Sequence, residues 1–430
     1  MAPTHSAASR ARRTAAALAA AAAAAVLASG AAPAQPQQPR TQAQQTQTQT
    51  QAQKLPEGLY GTKDPQYDGV WRQSLALLAQ HTVGVRPAPS AVDWLAKQQC
   101  ADGAFAAYRA DPGTACDAKT MRDTNQTAAA VQALAALGGH GDAVRKAVDW
   151  LKSVQQADGG WSSMAGAESD ANSTAVVIGA LTAAGEKPEA VRKDGASPYQ
   201  ALLGFRLGCD AKEGERGAFS FQRKNPAANA DATAAAVTAA LGKGFVVPAA
   251  GQDRPVEPPK CGAGEARDGD AKAAADGGAA YLVAQMDAGG QHLRSAMPGA
   301  EQQPDVGNTA DAVVALAAGG HSEAARKPLA WLEKNAGAWA KQSGPAAYAQ
   351  LVLAARATGT DPRHFGGTDL VAALNATGPA PVSTDEDTKD AKDSKDDGGG
   401  ISIWWVIGVG LALGAGVGFL LSGRKGKNAL

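Results

Sequence analysis

Between Asp123 and Trp161 the buried-type positions return at three- and four-residue intervals. Thr127, Val131, Leu134 and Leu137 form one stripe, and Val144, Val148, Leu151 and Val154 form a second. This is the period of an α-helix with one face turned inward, so the stretch predicts two helices. Gly138 and Gly139 separate them, since glycine readily takes the left-handed conformation that ends a helix. A loop running from Gln155 through Asp158 and Gly159 to Trp161 closes the second helix.

The same unit returns along the chain. Helix ends with an aromatic or Gly-rich loop fall at 91–105, 147–161, 201–219, 279–290 and 329–339. Each precedes a helix with a polar start, at 123–134, 170–181, 229–241, 305–316 and 345–355. Helices at 66–80 and about 366–375 bring the expected total to twelve, or six pairs. One helix pair cannot bury both of its faces, so the pairs must stack. The pattern therefore predicts an all-α, (α/α)6 toroid over residues 57–377. Its Ala-rich helices belong inside, and helices with a charged face (Asp149 and Lys152; Arg326 and Lys327) belong outside.

Outside that region the polarity pattern changes. Residues 1–34 combine Arg10, Arg12 and Arg13 with an Ala-rich apolar run and a small-residue site, and so read as a signal peptide. Residues 35–56 are a Gln-rich linker that cannot bury a core. Residues 378–400 are a charged stalk, and 401–422 form an apolar segment long enough for a transmembrane helix. Basic residues in 423–430 then place a cytoplasmic tail by the positive-inside rule. The expectation is an exported protein anchored in the cytoplasmic membrane, with the toroid extracellular. Its 41 basic and 41 acidic side chains balance, which gives no reason to expect a nucleic-acid partner. Four cysteines allow three pairings; Cys100–Cys116 and Cys209–Cys261 are favoured because each closes a loop adjoining a repeat. No CxxC spacing points to a metal.

Candidate chemistry lies at the starts of the inner helices. Asp123-x-Asn125-x-Thr127, Asp170-x-Asn172-x-Thr174, Asn229-x-Asp231-x-Thr233 and Asp305 with Asn308-Thr309 fall in register. Asp, Asn and Thr are helix-capping residues that satisfy free backbone N–H groups. A ring of them would also converge at one mouth of the toroid, where amide, carboxylate and hydroxyl groups suit a polar ligand.

The QxxDGxW loop and the alternating helices resemble the prenyltransferase and squalene-oxidase repeat superfamily of α/α-toroids, over about three-quarters of the chain. The overall plan is similar to membrane-anchored bacterial surface members. The resemblance implies a terpenoid-cyclase-like fold and leaves several functions open. No DxDD acid motif occurs in the toroid, His81, His140, His292, His321 and His364 lack zinc-site spacing, and no thioester Gln follows Cys261. DTNQTAAAVQAL and DVGNTADAVVAL are similar to inner-helix starts of the transcobalamin and intrinsic-factor cobalamin carriers, although the carriers' β-domain is missing. That similarity implies non-catalytic capture of an amphipathic small ligand, a corrinoid such as cobalamin, for uptake. Asp123, Asn125, Asp170, Asn172, Asp231, Asp305 and Asn308 would bind it, and a covering surface protein or uptake transporter would be the partner. The alternatives are a terpenoid-cyclase or prenyltransferase-like enzyme, or a protein-interaction scaffold.

Overall fold

Helices whose flanks carry mostly alanine can lie closer together than helices with branched flanks, because packing distance follows side-chain volume. The computed structural model describes residues 56–383 apart from 225, 250, 262–269 and 297–298. Its helices run α1 (Gly69–Thr82), α2 (Pro89–Lys97), α3 (Thr124–Leu137), α4 (Gly141–Ser153), α5 (Ala171–Ala183) and α6 (Pro198–Leu203). They continue as α7 (Ala230–Ala240), α8 (Ala271–Gly289), α9 (Val306–Ala318), α10 (Ser322–Asn335), α11 (Gly337–Ser343), α12 (Pro345–Ala357) and α13 (Leu370–Asn375). Six of them close a ring: α1 packs on α3, α3 on α5, α5 on α7, α7 on α9, α9 on α12, and α12 back on α1. The other long helices lie outside. Asp149, Arg326 and Lys327 are exposed there, as the charged faces of α4 and α10 predict. The short α11 is an addition that the sequence pattern does not show.

The ring is sealed where the two ends of the domain meet. Gly61 N–H donates to Thr377 O at 2.7 Å, and Gln80 Nε2 donates to Asn375 Oδ1 at 2.7 Å. Gly378 lies so close to the Tyr60 ring that an added Cβ would stand 2.2 Å from it.

The recurring loop has a mechanical role in the first two turns. Gln155 Nε2 bonds Gly159 O at 2.9 Å, and Gln99 Nε2 bonds Gly103 O at 3.0 Å. Gly159 takes a positive φ of 86° and approaches the Ser197 carbonyl so closely that a Cβ would sit 2.5 Å from it. Glycine is required at this point by both the dihedral and the contact. The aromatic that follows is core: Trp161, Phe105 and Phe219 are all buried.

Each polar helix start divides its labour among three positions. The Asp or Asn before the helix caps it: Asp123, Asp170, Asn229 and Asp305 accept from the backbone N–H groups of Gln126, Ser173, Ala232 and Asn308. The Thr four residues on accepts from the preceding loop instead. Thr127, Thr174, Thr233 and Thr309 Oγ1 receive the N–H of Phe105, Trp161, Phe219 and Leu293 at 2.9, 3.1, 2.9 and 3.0 Å. Two short antiparallel pairs, β1 (Phe219–Ser220) with β2 (Ala228–Asn229) and β3 (Leu293–Arg294) with β4 (Pro304–Asp305), reinforce this at α7 and α9. Both expected disulfides, Cys100–Cys116 and Cys209–Cys261, are present.

The expectations about a membrane need correction. Among the described residues no helix is long and apolar enough to cross a bilayer. The longest, α8, has 19 residues and carries Lys272, Asp276 and Asp287. The segments read as signal peptide (1–34), most of the linker (35–56), all but the start of the stalk (378–400), the transmembrane helix (401–422) and the cytoplasmic tail (423–430) lie outside the described residues. Among the described residues the architecture is therefore an all-α, paired-helix toroid, and none of its helices is a membrane span. The expected membrane partner and the anchored, exported topology therefore find no support among the described residues.

Replacing Thr174 with Val removes the acceptor of the buried Trp161 N–H and should cost about 1–3 kcal/mol. Thr182→Val, at an exposed site on the same helix, should stay within about 0.5 kcal/mol. Denaturant unfolding of both variants checks this; equal effects would contradict the role assigned to the repeated threonine.

Candidate functional site

The inner helices present the same positions to the axis at each turn. The second residue after the cap supplies Asn125, Asn172 and Asp231 on α3, α5 and α7. Four residues deeper on the same faces stand Val176, Ala235, Asp311 and Gln350 of α5, α7, α9 and α12. Together with Trp71, Leu75 and Leu353 these enclose a cavity of about 210 Å³ at the centre of the ring. One end is polar and the other is walled by alanine, valine and leucine.

The far end is closed by the chain itself. After α7 the backbone turns under the ring, and Lys243, Gly244 and Phe245 become cavity lining. Phe245 N–H donates to Gln132 Oε1 at 2.9 Å, and its ring meets Trp71 edge-on with centroids 5.3 Å apart. Gly244 and Gly179 touch backbone to backbone, leaving no room for a side chain on either. Further along, Arg254 fastens this connection to the outer layer, pairing with Asp276 at 3.2 Å and donating to Gly319 O at 2.8 Å. His321 Nδ1 lies 2.9 Å from the Arg254 carbonyl.

The polar end has an unusual charge balance. Asn172 Nδ2 donates to Asp231 Oδ2 at 2.8 Å, and Gln350 Nε2 donates to the Asp311 carboxyl at 3.2 and 3.3 Å. Burial pushes the Asp311 carboxyl up to about 7, and the neighbouring Asp231 charge adds to the shift. Asp231 is raised as well, by burial first and then by Asp305 and Asp170. Desolvation in a narrow, low-dielectric space disfavours a second negative charge, so the pair tends to keep one proton. Asn125 Oδ1 and Asn172 Oδ1 are shielded from solvent and have no hydrogen-bond partner.

The seven residues expected at the mouth therefore separate into two groups. Asn125, Asn172 and Asp231 line the cavity. Asp123, Asp170 and Asp305 are occupied as caps, and Asn308 donates its side-chain amide back to Asp305 at 2.8 Å. Sequence reasoning passed over Asp311 and Gln350. The signal for Asp311 was present: an acidic residue sits at the position where α3, α5 and α7 carry Ala129, Val176 and Ala235. Trp71 and Phe245 gave no such signal, because their meeting depends on the path of an irregular connection.

A second depression of about 580 Å³ lies outside the ring, between the 206–209 loop, the 254–260 segment and α8. It is larger, but its Arg254 and Lys272 are paired with Asp276, and Lys260 is paired with Glu257. The central cavity holds the unpaired acceptors and the perturbed carboxyls, and is the stronger candidate.

A family model agrees with the toroid architecture over part of the chain. The model of the prenyltransferase alpha-alpha toroid domain matches residues 2–214. A prenyltransferase α/α-toroid domain is therefore present over residues 2–214. The match reaches into residues 1–34, the segment read as a signal peptide, for which it gives no support. No curated protein matches the chain. A crystal structure of a protein from Actinoplanes is similar over 71% of this chain and 95% of its own, with 17% identity and a TM-score of 0.44. The candidate site is the space that the ring encloses.

The raised Asp311 carboxyl carries a stability signature. Its folded value, about 7, exceeds the ordinary 3.8, so the folded state favours the protonated form. That contribution is complete below pH 3.8 and is lost as pH rises toward 7. Relative to Asp311→Asn, which cannot ionise, the native protein should lose up to about 4 kcal/mol of stability across that window. Parallel pH–stability curves for the two proteins would contradict the assignment.

Proposed function

We propose that the toroid's central cavity receives a compact amphipathic molecule and exchanges a proton with it through Asp311. The apolar part of the molecule rests against the alanine, valine and leucine wall, and its polar end lies among Asn125, Asn172 and Asp231. The observation that carries this reading is the Asp311 carboxyl, held near 7 beside a second carboxylate in an enclosed space. A group that is part protonated at neutral pH can both give and accept a proton there, which is what general acid–base work requires. The toroid domain match supports the enzyme-like alternative over a non-catalytic carrier.

The direction of the shift limits the chemistry. Protonating an unactivated alkene calls for a carboxylic acid stronger than usual, whereas Asp311 is weaker than usual. Proton transfer to or from oxygen or nitrogen suits it better. A corrinoid is disfavoured by size, because its macrocycle alone joins four pyrrole-derived rings and the cavity is about 210 Å³. Across the mouth it would meet Asp123, Asp170, Asp305 and Asn308, whose polar atoms already serve the helix ends.

Geraniol, an amphipathic probe with a hydroxyl on an isoprenoid body, tests the reading in the full-length protein. Binding should be saturable and should be abolished by Ala235→Leu, which fills the cavity. Turnover of whichever substrate the protein accepts should fall about 100-fold or more in Asp311→Asn. Geraniol binding that is indifferent to Ala235→Leu would place the site elsewhere and sink the proposal.

A further inference from the structure

The hydrogen-bonding and charge inventory of the cavity's polar end narrows the ligand, on the reading that this cavity is the functional site. The acceptors outnumber the donors. Asn172 has its amide nitrogen committed to Asp231, which fixes its oxygen as the free group. That oxygen and Asn125 Oδ1 are both buried without a donor. Leaving two such acceptors desolvated and empty is costly, a penalty that a ligand with several N–H or O–H groups would remove.

The charges point the same way. The ionisable groups that act on Asp231 and Asp311 are Asp170, Asp305 and each other. Each is a carboxylate, and no Lys, Arg or His among the described residues is their partner. On the elements packed against α9, α7 presents Asp231, α12 presents the neutral Gln350, and α9 itself adds Asp305. No titratable group of α8 or α10 acts on Asp311. The one basic residue in the cavity lining is Lys243, which belongs to the closed far end with Gly244 and Phe245. Gly244 touches Gly179, seven positions beyond Asn172 on α5, so that floor lies about 10 Å below the ring of Asn and Asp side chains at 1.5 Å per residue.

A bare metal ion would not use the rest of the space. Ala175, Val176, Ala234, Val314 and Leu353 form an apolar wall directly below the carboxyls, which suits a hydrocarbon body rather than a hydration shell.

We propose that the cavity's ligand is a primary or secondary amine carried as its ammonium ion on a compact hydrocarbon body. Its nitrogen lies between Asp231 and Asp311 and donates to Asn125 Oδ1 and Asn172 Oδ1. The ammonium supplies the missing positive charge and the missing donors in one group. Its arrival favours the ionised form of Asp311, so binding near neutrality expels a proton from that carboxyl to solvent. In this binding step the ligand keeps its own proton and no covalent bond changes; any exchange with Asp311 follows binding.

Three probes that share one hydrocarbon body decide the matter: geranylamine, geraniol and geranate, each titrated calorimetrically into the full-length protein at pH 8. The amine should bind at least tenfold more tightly than the alcohol, and the carboxylate should not bind. Affinity for the amine should rise between pH 6 and pH 8. At pH 7, titrations in two buffers of different ionisation enthalpy should show release of a fraction of a proton. Asp311→Asn, which preserves shape, should weaken the amine at least tenfold and abolish the proton release. Asn125→Leu, which removes an acceptor and leaves the Asp311 titration in place, should also weaken the amine while retaining the release. Geraniol binding as tightly as geranylamine, with no proton release, overturns the amine and leaves the cavity reading intact. No binding by any of the three overturns both.

Discussion

A ring of six helices can close only if every helix reaches two neighbours at once, and that requirement sets the rest of the molecule. Alanine on the flanks of α3, α5, α7, α9 and α12 lets the ring helices approach, and the residues left to face the axis then enclose a small central space. Branched flanks would hold the helices apart and leave voids in the ring. The outer helices are released from this demand and carry the charged surface. The same geometry brings all six inner N-terminal ends to one side, which is why polar residues near those ends meet around one opening.

The chain resolves a conflict at that opening. Six helix starts leave many backbone N–H groups to be satisfied, and caps such as Asp123, Asp170 and Asp305 satisfy part of them. Those carboxylates are engaged at the helix ends. The work of facing the axis passes to the next positions along: Asn125, Asn172 and Asp231, with Asp311 and Gln350 one turn deeper. At the opposite end the 243–245 segment closes the space, and backbone contact between Gly179 and Gly244 makes a shallow, blind cavity of what would otherwise be a channel.

Much of the fold was legible because its signals are local and repeated. Gly138 and Gly139 end α3 where the sequence places the break, and the Gln–Gly contact of the QxxDGxW loop recurs at Gln99 and Gln155. The neighbour pairing of the cysteines followed from the same repeats. The site was less legible. Asp-x-Asn-x-Thr reads as one polar patch along the sequence, yet helical geometry sends its three members in three directions: to the helix end, to the axis and to the previous loop. Phe245 and Trp71 are separated by more than half the domain and meet only because the connection after α7 folds under the ring. Asp311 could have been found by comparing its position with Ala129, Val176 and Ala235, since a carboxylate on an otherwise small, apolar face demands a reason.

The central claim is that one carboxyl at the heart of the ring keeps its proton to near neutrality. Carbon-13 NMR of aspartate side-chain carboxyls, followed from pH 3 to pH 9 in the native protein and in Asp311→Asn, measures this without any ligand. The account predicts a carboxyl that titrates near 7 in the native protein and disappears in the variant. If every aspartate carboxyl completes its titration below pH 5, the cavity holds no such proton and the acid–base reading fails.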